Sequence, residues 1–150
     1  MNTLYKILNP AHSGWRWIVL ILLVLVIIEA HKGWKGNKTF TDKNKKLALF
    51  AMIAFHIQFL AGLVLYFVSP KVAFISETMS NKLLRFFTVE HSLMMIIAMI
   101  LITIGHSKSK KATLDTQKFK SIAVYYTIAF IIIMIAIPWP FRTALGGGWF

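Results

Sequence analysis

The chain has 150 residues, 57% of them hydrophobic, and a mean hydropathy of +0.66. Soluble domains run at about 45–50% apolar residues, so this composition excludes an ordinary soluble domain of this size. The net charge is +12, and the absence of cysteine excludes disulfides, thiolate metal sites, iron–sulfur clusters, c-type haem attachment and cysteine nucleophiles.

Residues 1–14 read as a short outer segment, with Asn9-Pro10 as a helix start. The first apolar run, 15–30, follows, with Trp15 and Trp17 where an aromatic belt is expected. It ends in Glu29-Ala30-His31-Lys32 with no small-residue cleavage pattern, so it reads as a retained helix and not a signal peptide. The stretch GWKGNKTFTDKNKK, 33–46, reads as an exposed, mobile loop. The second run covers 47–68 and is stopped by Ser69-Pro70. Within the outer loop 69–86, the stretch ETMSNKLLRFF reads either as an interfacial helix or as an extension of the third run, 87–105. A Lys-rich loop, 106–120, leads to the fourth run, 121–139. The tail PWPFRTALGGGWF, with two prolines and three consecutive glycines, cannot be a regular helix and is expected to lie back over the outer face.

Each run is near the ~20 residues that cross a hydrocarbon core, and a spanning segment must satisfy its backbone internally. The expected fold is therefore an all-α membrane protein, a single domain of four transmembrane helices in an up-and-down bundle. Loop 31–46 carries six lysines and loop 106–120 five. The other side holds Lys6, Arg16, Lys71, Lys82, Arg85 and Arg142. By the positive-inside rule the Lys-rich loops are cytoplasmic and both termini lie on the outer side. The basic charge thus sets topology and meets anionic lipid headgroups. Nucleic acid is not an expected partner. The lipid bilayer is, together with other membrane subunits or a homo-oligomer.

Ionisable groups at membrane depth are costly and mark sites. They are His12, Arg16, Glu29, His31, His56, Glu90, His91 and His106, which include all five histidines. His56 lies nine residues past Leu47 and twelve before Val68, near mid-membrane, and needs a partner on a neighbouring helix. His91 falls about one turn inside the outer face, and His12 precedes the first run on that side. His31 and His106 sit at the inner boundary, His31 as an ordinary interfacial residue. Glu90 and His91 diverge by about 100° on a helix, which separates their roles. His91 faces the bundle, and Glu90 points toward an ion pair with Arg16 or Arg142. A Met94, Met95 and Met99 stripe suits Cu(I), but such a stripe is more often packing.

Haem b suits a cysteine-free helical bundle: imidazoles on facing helices, apolar walls, and arginine for its propionates. Histidines on three runs, with Arg16 and Arg142 on one side, allow one or two haems. His12 with His91 makes a plausible pair. His56 with His106 makes another, with a depth mismatch of about 13 Å. A quinone is a further candidate ligand.

The motifs HSGWRW (12–17), FHIQFLAGLVLYFVSP (55–70), RFFTVEHSLMM (85–95), ITIGHSKSK (102–110) and PWPFR (138–142) resemble a family of about 150-residue, four-helix membrane proteins of Bacteroidota, often labelled cytochrome b or cytochrome b-like. The resemblance covers nearly the whole chain. It implies haem and electron transfer, and points to His12, Arg16, His56, Glu90, His91, His106 and Arg142. The expectation is a small b-type cytochrome, or cytochrome-like subunit, exchanging electrons with a quinone or a partner complex of the respiratory chain. The alternatives are a non-catalytic accessory subunit with structural histidines, and a zinc or copper site near the outer face using His12, Glu90 and His91. No Ser-His-Asp or H-E-x-x-H arrangement suggests a hydrolase.

Overall fold

The computed structural model describes residues 3–149. Among these, helices α1 (Thr3–Lys35), α2 (Asp42–Val68), α3 (Lys82–Arg85), α4 (His91–Lys111) and α5 (Asp115–Ala136) are joined by short connections, with a π-helical turn (Phe86–Glu90) fusing α3 to α4. Four stretches are long and apolar enough to cross a membrane: α1, α2, the fused Lys82–Lys111 and α5. The chain is an all-α membrane protein of the four-helix class. Helix α1 packs on α2 and α5, and α4 packs on α5 and more lightly on α2. The order around the bundle is therefore α1, α2, α4, α5, which makes α1 and α4 a diagonal pair.

The helices run past the apolar segments at both ends. Helix α1 starts at Thr3, so Pro10 lies inside it and does not begin it. His12 is consequently a helical residue within the first span. The stretch 33–46 is not a long mobile loop either. Helix α1 continues to Lys35, and α2 begins at Asp42. Lysines are good helix formers, and their stems reach out of an apolar boundary while the ammonium stays in water. Asn37 takes the left-handed conformation (φ 48°), and the amides of Gly36 and Lys38 close back onto Lys32 and Gly33. Thr41 then caps α2 in a reciprocal box with Asn44. The second Lys-rich connection shrinks in the same way, to the few residues between Lys111 and Asp115.

Hydropathy does not mark the buried face, because the outward faces are equally apolar. Ile21, Leu25, Phe50, Ile57, Leu60, Ile100 and Ile131 all point outward, as lipid-facing residues do. Size marks it instead. Ala48, Ala51 and Ala54 on α2, Ala98 and Gly105 on α4, and Ala123 and Ala129 on α5 are buried and let the backbones approach. Leu23, Phe55, Ile102, Ile122 and Tyr126 fill what remains. The Tyr126 hydroxyl donates to the Ala48 carbonyl at 3.0 Å across the bundle from α5 to α2. This packed zone lies toward the Lys-rich end. The other end is hollow.

The tail closes that hollow end. Residues 143–145 form one 3-10 turn, Gly146 takes φ 56°, and the chain turns back over the bundle. A Cβ on Gly147 would overlap the Pro138 carbonyl oxygen, so only glycine fits there. Trp17 stacks with Trp149 at 6.2 Å and lies 6.1 Å from Trp139, which gathers the aromatic groups at this end.

A candidate ligand cavity between diagonal helices

The hollow end holds a cavity of about 580 Å³, a size typical of small-molecule sites. Helix α1 contributes Tyr5, Asn9, His12, Arg16 and Leu20, spaced three and four apart along one face. Helix α2 contributes Phe55, Gln58, Gly62 and Leu65 at the same spacing. His91 and Met95 come from α4, opposite α1, and Gly146–Gly148 of the tail line the rim.

His91 owes its position to the π turn. Its amide bonds to Phe86 five residues back, one more than an α-helix allows. Such a turn displaces carbonyls that then need other donors. The Ser92 hydroxyl donates to the Phe87 carbonyl at 2.9 Å, and the Tyr66 hydroxyl of α2 donates to the Thr88 carbonyl at 2.9 Å. The π turn also stacks residues five apart, and so it pairs Glu90 with Arg85 at 2.8 Å. Glu90 therefore bonds neither Arg16 nor Arg142. Both partners are more than a third exposed, and such surface pairs are worth about 1 kcal/mol or less.

His91 donates through Nδ1 to the Ala136 carbonyl at 2.8 Å. That bond fixes the ring and leaves Nε2 as the nitrogen open to a ligand. It also completes the accounting for the last turn of α5, whose four terminal carbonyls lack intrahelical donors. Ile133 accepts from the Ile137 amide, Met134 from the Trp139 indole, Ile135 from Arg142 and Ala136 from His91. Arg142 thus caps α5 and lies over the Phe86 ring. It does not line the cavity.

Three polar groups in the cavity wall are incompletely satisfied. His12 Nδ1, Arg16 Nε and Gln58 Oε1 are buried with no hydrogen-bond partner among the described residues. Gln58 uses its amide nitrogen on the His12 carbonyl at 2.9 Å, which ties α2 to α1 beside the imidazole. Arg16 gives Nη2 to the carbonyls of Gly148 and Trp149, at 3.2 and 2.8 Å. It forms no ion pair with a carboxylate among the described residues. Opposite His12, Gly62 leaves just enough room, since a Cβ there would stand 3.1 Å from His12 Cε1.

The remaining histidines lie elsewhere. His56 bonds through Nδ1 to its own helix at the Met52 carbonyl (2.7 Å) and through Nε2 to Thr103 of α4 (3.2 Å). Both ring nitrogens are engaged, and His56 does not line the cavity. Its missing partner is a threonine hydroxyl. His106 is half-buried near the Lys-rich end, outside the cavity, and its Nδ1 has no partner among the described residues. His31, read as an ordinary interfacial residue, bonds Thr127 of α5 at 3.1 Å. Among the described residues no group of three or more His, Asp or Glu gathers as a metal site, so His12, Glu90 and His91 do not form the donor set that a zinc or copper centre needs.

The sequence reading missed Gln58, Gly62, Lys71 and the glycine tail as parts of the site. Lys71, in the connection after α2, lines the cavity mouth with its ammonium 4.9 Å from the Phe87 ring. Partial burial holds that ammonium below the usual lysine range. Two imidazoles and two cations against apolar walls suit a flat or elongated apolar ligand with a coordinating or acidic group. Searches of family models, curated proteins and solved structures found no match to the chain.

Proposed function

We propose that the protein is a small b-type cytochrome of a bacterial inner membrane. It holds one haem b between His12 and His91 and passes electrons between a quinone and a partner protein. The observation that carries this reading is that imidazoles from diagonally opposed helices line one apolar cavity beside a buried arginine. The residues fit the group. The cavity volume is in the range for a cofactor site, and the walls include Leu20, Phe55, Met95 and Ile133. His91 is held in one tautomer by Ala136, and Gly62 gives His12 room. Haem, when bound, supplies one-electron redox chemistry tuned by its axial ligands and its dry surroundings. The protein supplies the rest: His91 is oriented by a backbone carbonyl, His12 is flanked by Gln58, and the tail shields the mouth from water.

The reading favours one haem. A second would need His56, whose two nitrogens are already bonded, or His106, which lies apart. The Lys-rich connections support a cytoplasmic location for that end, and hence a cavity near the periplasmic face. Reporter fusions within the α1–α2 connection and at the C-terminus test this placement.

The optical spectrum of the purified protein decides the main point. The expected protein is red, with the Soret and reduced α-bands of a bis-imidazole haem, and His91→Ala or His12→Ala loses them. A colourless protein from cells supplied with haem overturns the proposal. That result would favour the second reading, an accessory membrane subunit, which the interhelical bonds of His31 and His56 support.

A further inference from the structure

We infer that the cavity contains a carboxylate subsite at its polar rim, formed by Arg16 and Lys71 beneath the Gly146–Gly148 strap, which fixes the acidic group of an apolar ligand. The inference rests on the haem proposal only for the identity of that ligand.

Arg16 and Lys71 are the charged side chains that line the cavity, and no Asp or Glu is among its described lining residues. Arg16 is 9% exposed. A buried cation without a counter-charge is costly, and an ion pair or a bound anion offsets that cost. Its ion-pair partner is absent among the described residues, and its neutral partners are two tail carbonyls. Its Nε–H is buried at the cavity wall and has no acceptor among the described residues. Lys71 leans on the Phe87 ring, also without a carboxylate partner among the described residues. A ligand carboxylate at this rim would accept from Arg16 Nε in a charge-assisted hydrogen bond, and the Lys71 ammonium, which lines the same cavity, would add a second positive charge. The rest of the ligand would then run into the wall of Val19, Phe55, Leu63 and Ile133. Gly148 and Trp149 hold the same guanidinium, so the strap that closes the mouth also orients the anion site.

Two ligands carry this chemistry: haem b, through its propionates, and a long-chain fatty acid of the bilayer. The test compares each acid with its neutral ester on cofactor-free, full-length protein in detergent. Haem b and haem dimethyl ester are titrated by absorbance, and a fluorescent polyene fatty acid and its methyl ester by emission. The expected result is that wild type binds haem b at least about tenfold more tightly than the diester. Arg16→Gln should remove most of that preference, and Lys71→Gln part of it. If haem fails to bind but the fatty acid is preferred over its methyl ester in an Arg16-dependent way, the haem proposal falls and the subsite stands. If wild type shows no preference for acid over ester with either ligand, or binds neither, the subsite is overturned, whatever the colour of the protein. Should Arg16→Gln fail to fold, the wild-type comparison and the Lys71→Gln variant in the loop decide the matter.

Discussion

Gly62→Ala sets two effects against each other. Alanine is favoured over glycine within a helix by about 1 kcal/mol, so the substitution by itself stabilises α2. The new Cβ, however, would stand 3.1 Å from His12 Cε1, closer than ordinary carbon contact. The imidazole must retreat by a few tenths of an ångström. In the cofactor-free protein it retreats into the cavity, which has room, so the stability of that form should be unchanged or rise by up to about 1 kcal/mol. With haem in place the space is filled, and interiors transmit such shifts instead of absorbing them. The helix gain and the ligation loss therefore appear in different forms of the protein. Haem affinity should fall by on the order of tenfold, equivalent to about 1.4 kcal/mol. The assay is a haem titration of the cofactor-free variant, paired with its thermal unfolding in detergent. Unchanged haem affinity together with raised stability would show that His12 does not press on Gly62 when ligated. A large loss of stability in the cofactor-free form would show that the ring has no room to move.

Three further outcomes are expected. Thr103→Val removes the His56 Nε2 partner while keeping shape. It should cost about 0.6 kcal/mol, at most about 1.7, and leave the haem content intact; loss of pigment would place His56 in the site. Tyr126→Phe deletes the hydroxyl bonded to Ala48 and should lower stability by a similar amount, up to about 1.5 kcal/mol, with the spectrum unchanged. Lys71 titrates below its ordinary 10.5 in the folded protein, so at pH values between the two the unfolded chain binds more protons and stability rises with pH. Lys71→Met should flatten that alkaline rise in thermal unfolding of the cofactor-free protein.

The fold class follows from the order of amino acids alone. Four apolar runs of spanning length, in a solvent that forbids unsatisfied backbone, leave helices as the way to cross. Without strands of porin-like alternation, a helical bundle follows. The sequence also singled out His12, Arg16 and His91, together with His56, Glu90, His106 and Arg142, because ionisable side chains stand out against an apolar background. The polar row Tyr5, Asn9, His12 and Arg16, at helical spacing, was legible too. Placing the helix start at Asn9-Pro10 and the span at 15–30 hid it, since Pro10 is an interior residue of a helix that begins at Thr3. Which of the polar residues share a space is set by the packing of the helices. Hydropathy is uniform around these helices, so the inward faces are picked out by the small size of Ala51, Ala98 and Ala129, a weak signal along a chain. His56 and His91 look alike in sequence. The first finds Thr103 across a helix contact, and the second is turned by a π bulge onto the end of α5. The same bulge gives Glu90 to Arg85 and not to Arg16, and the turn of the tail gives Arg142 to a helix cap and leaves Arg16 in the cavity. These outcomes depend on one extra residue in a turn and on where a glycine strap folds back, which are matters of three-dimensional register and not of composition.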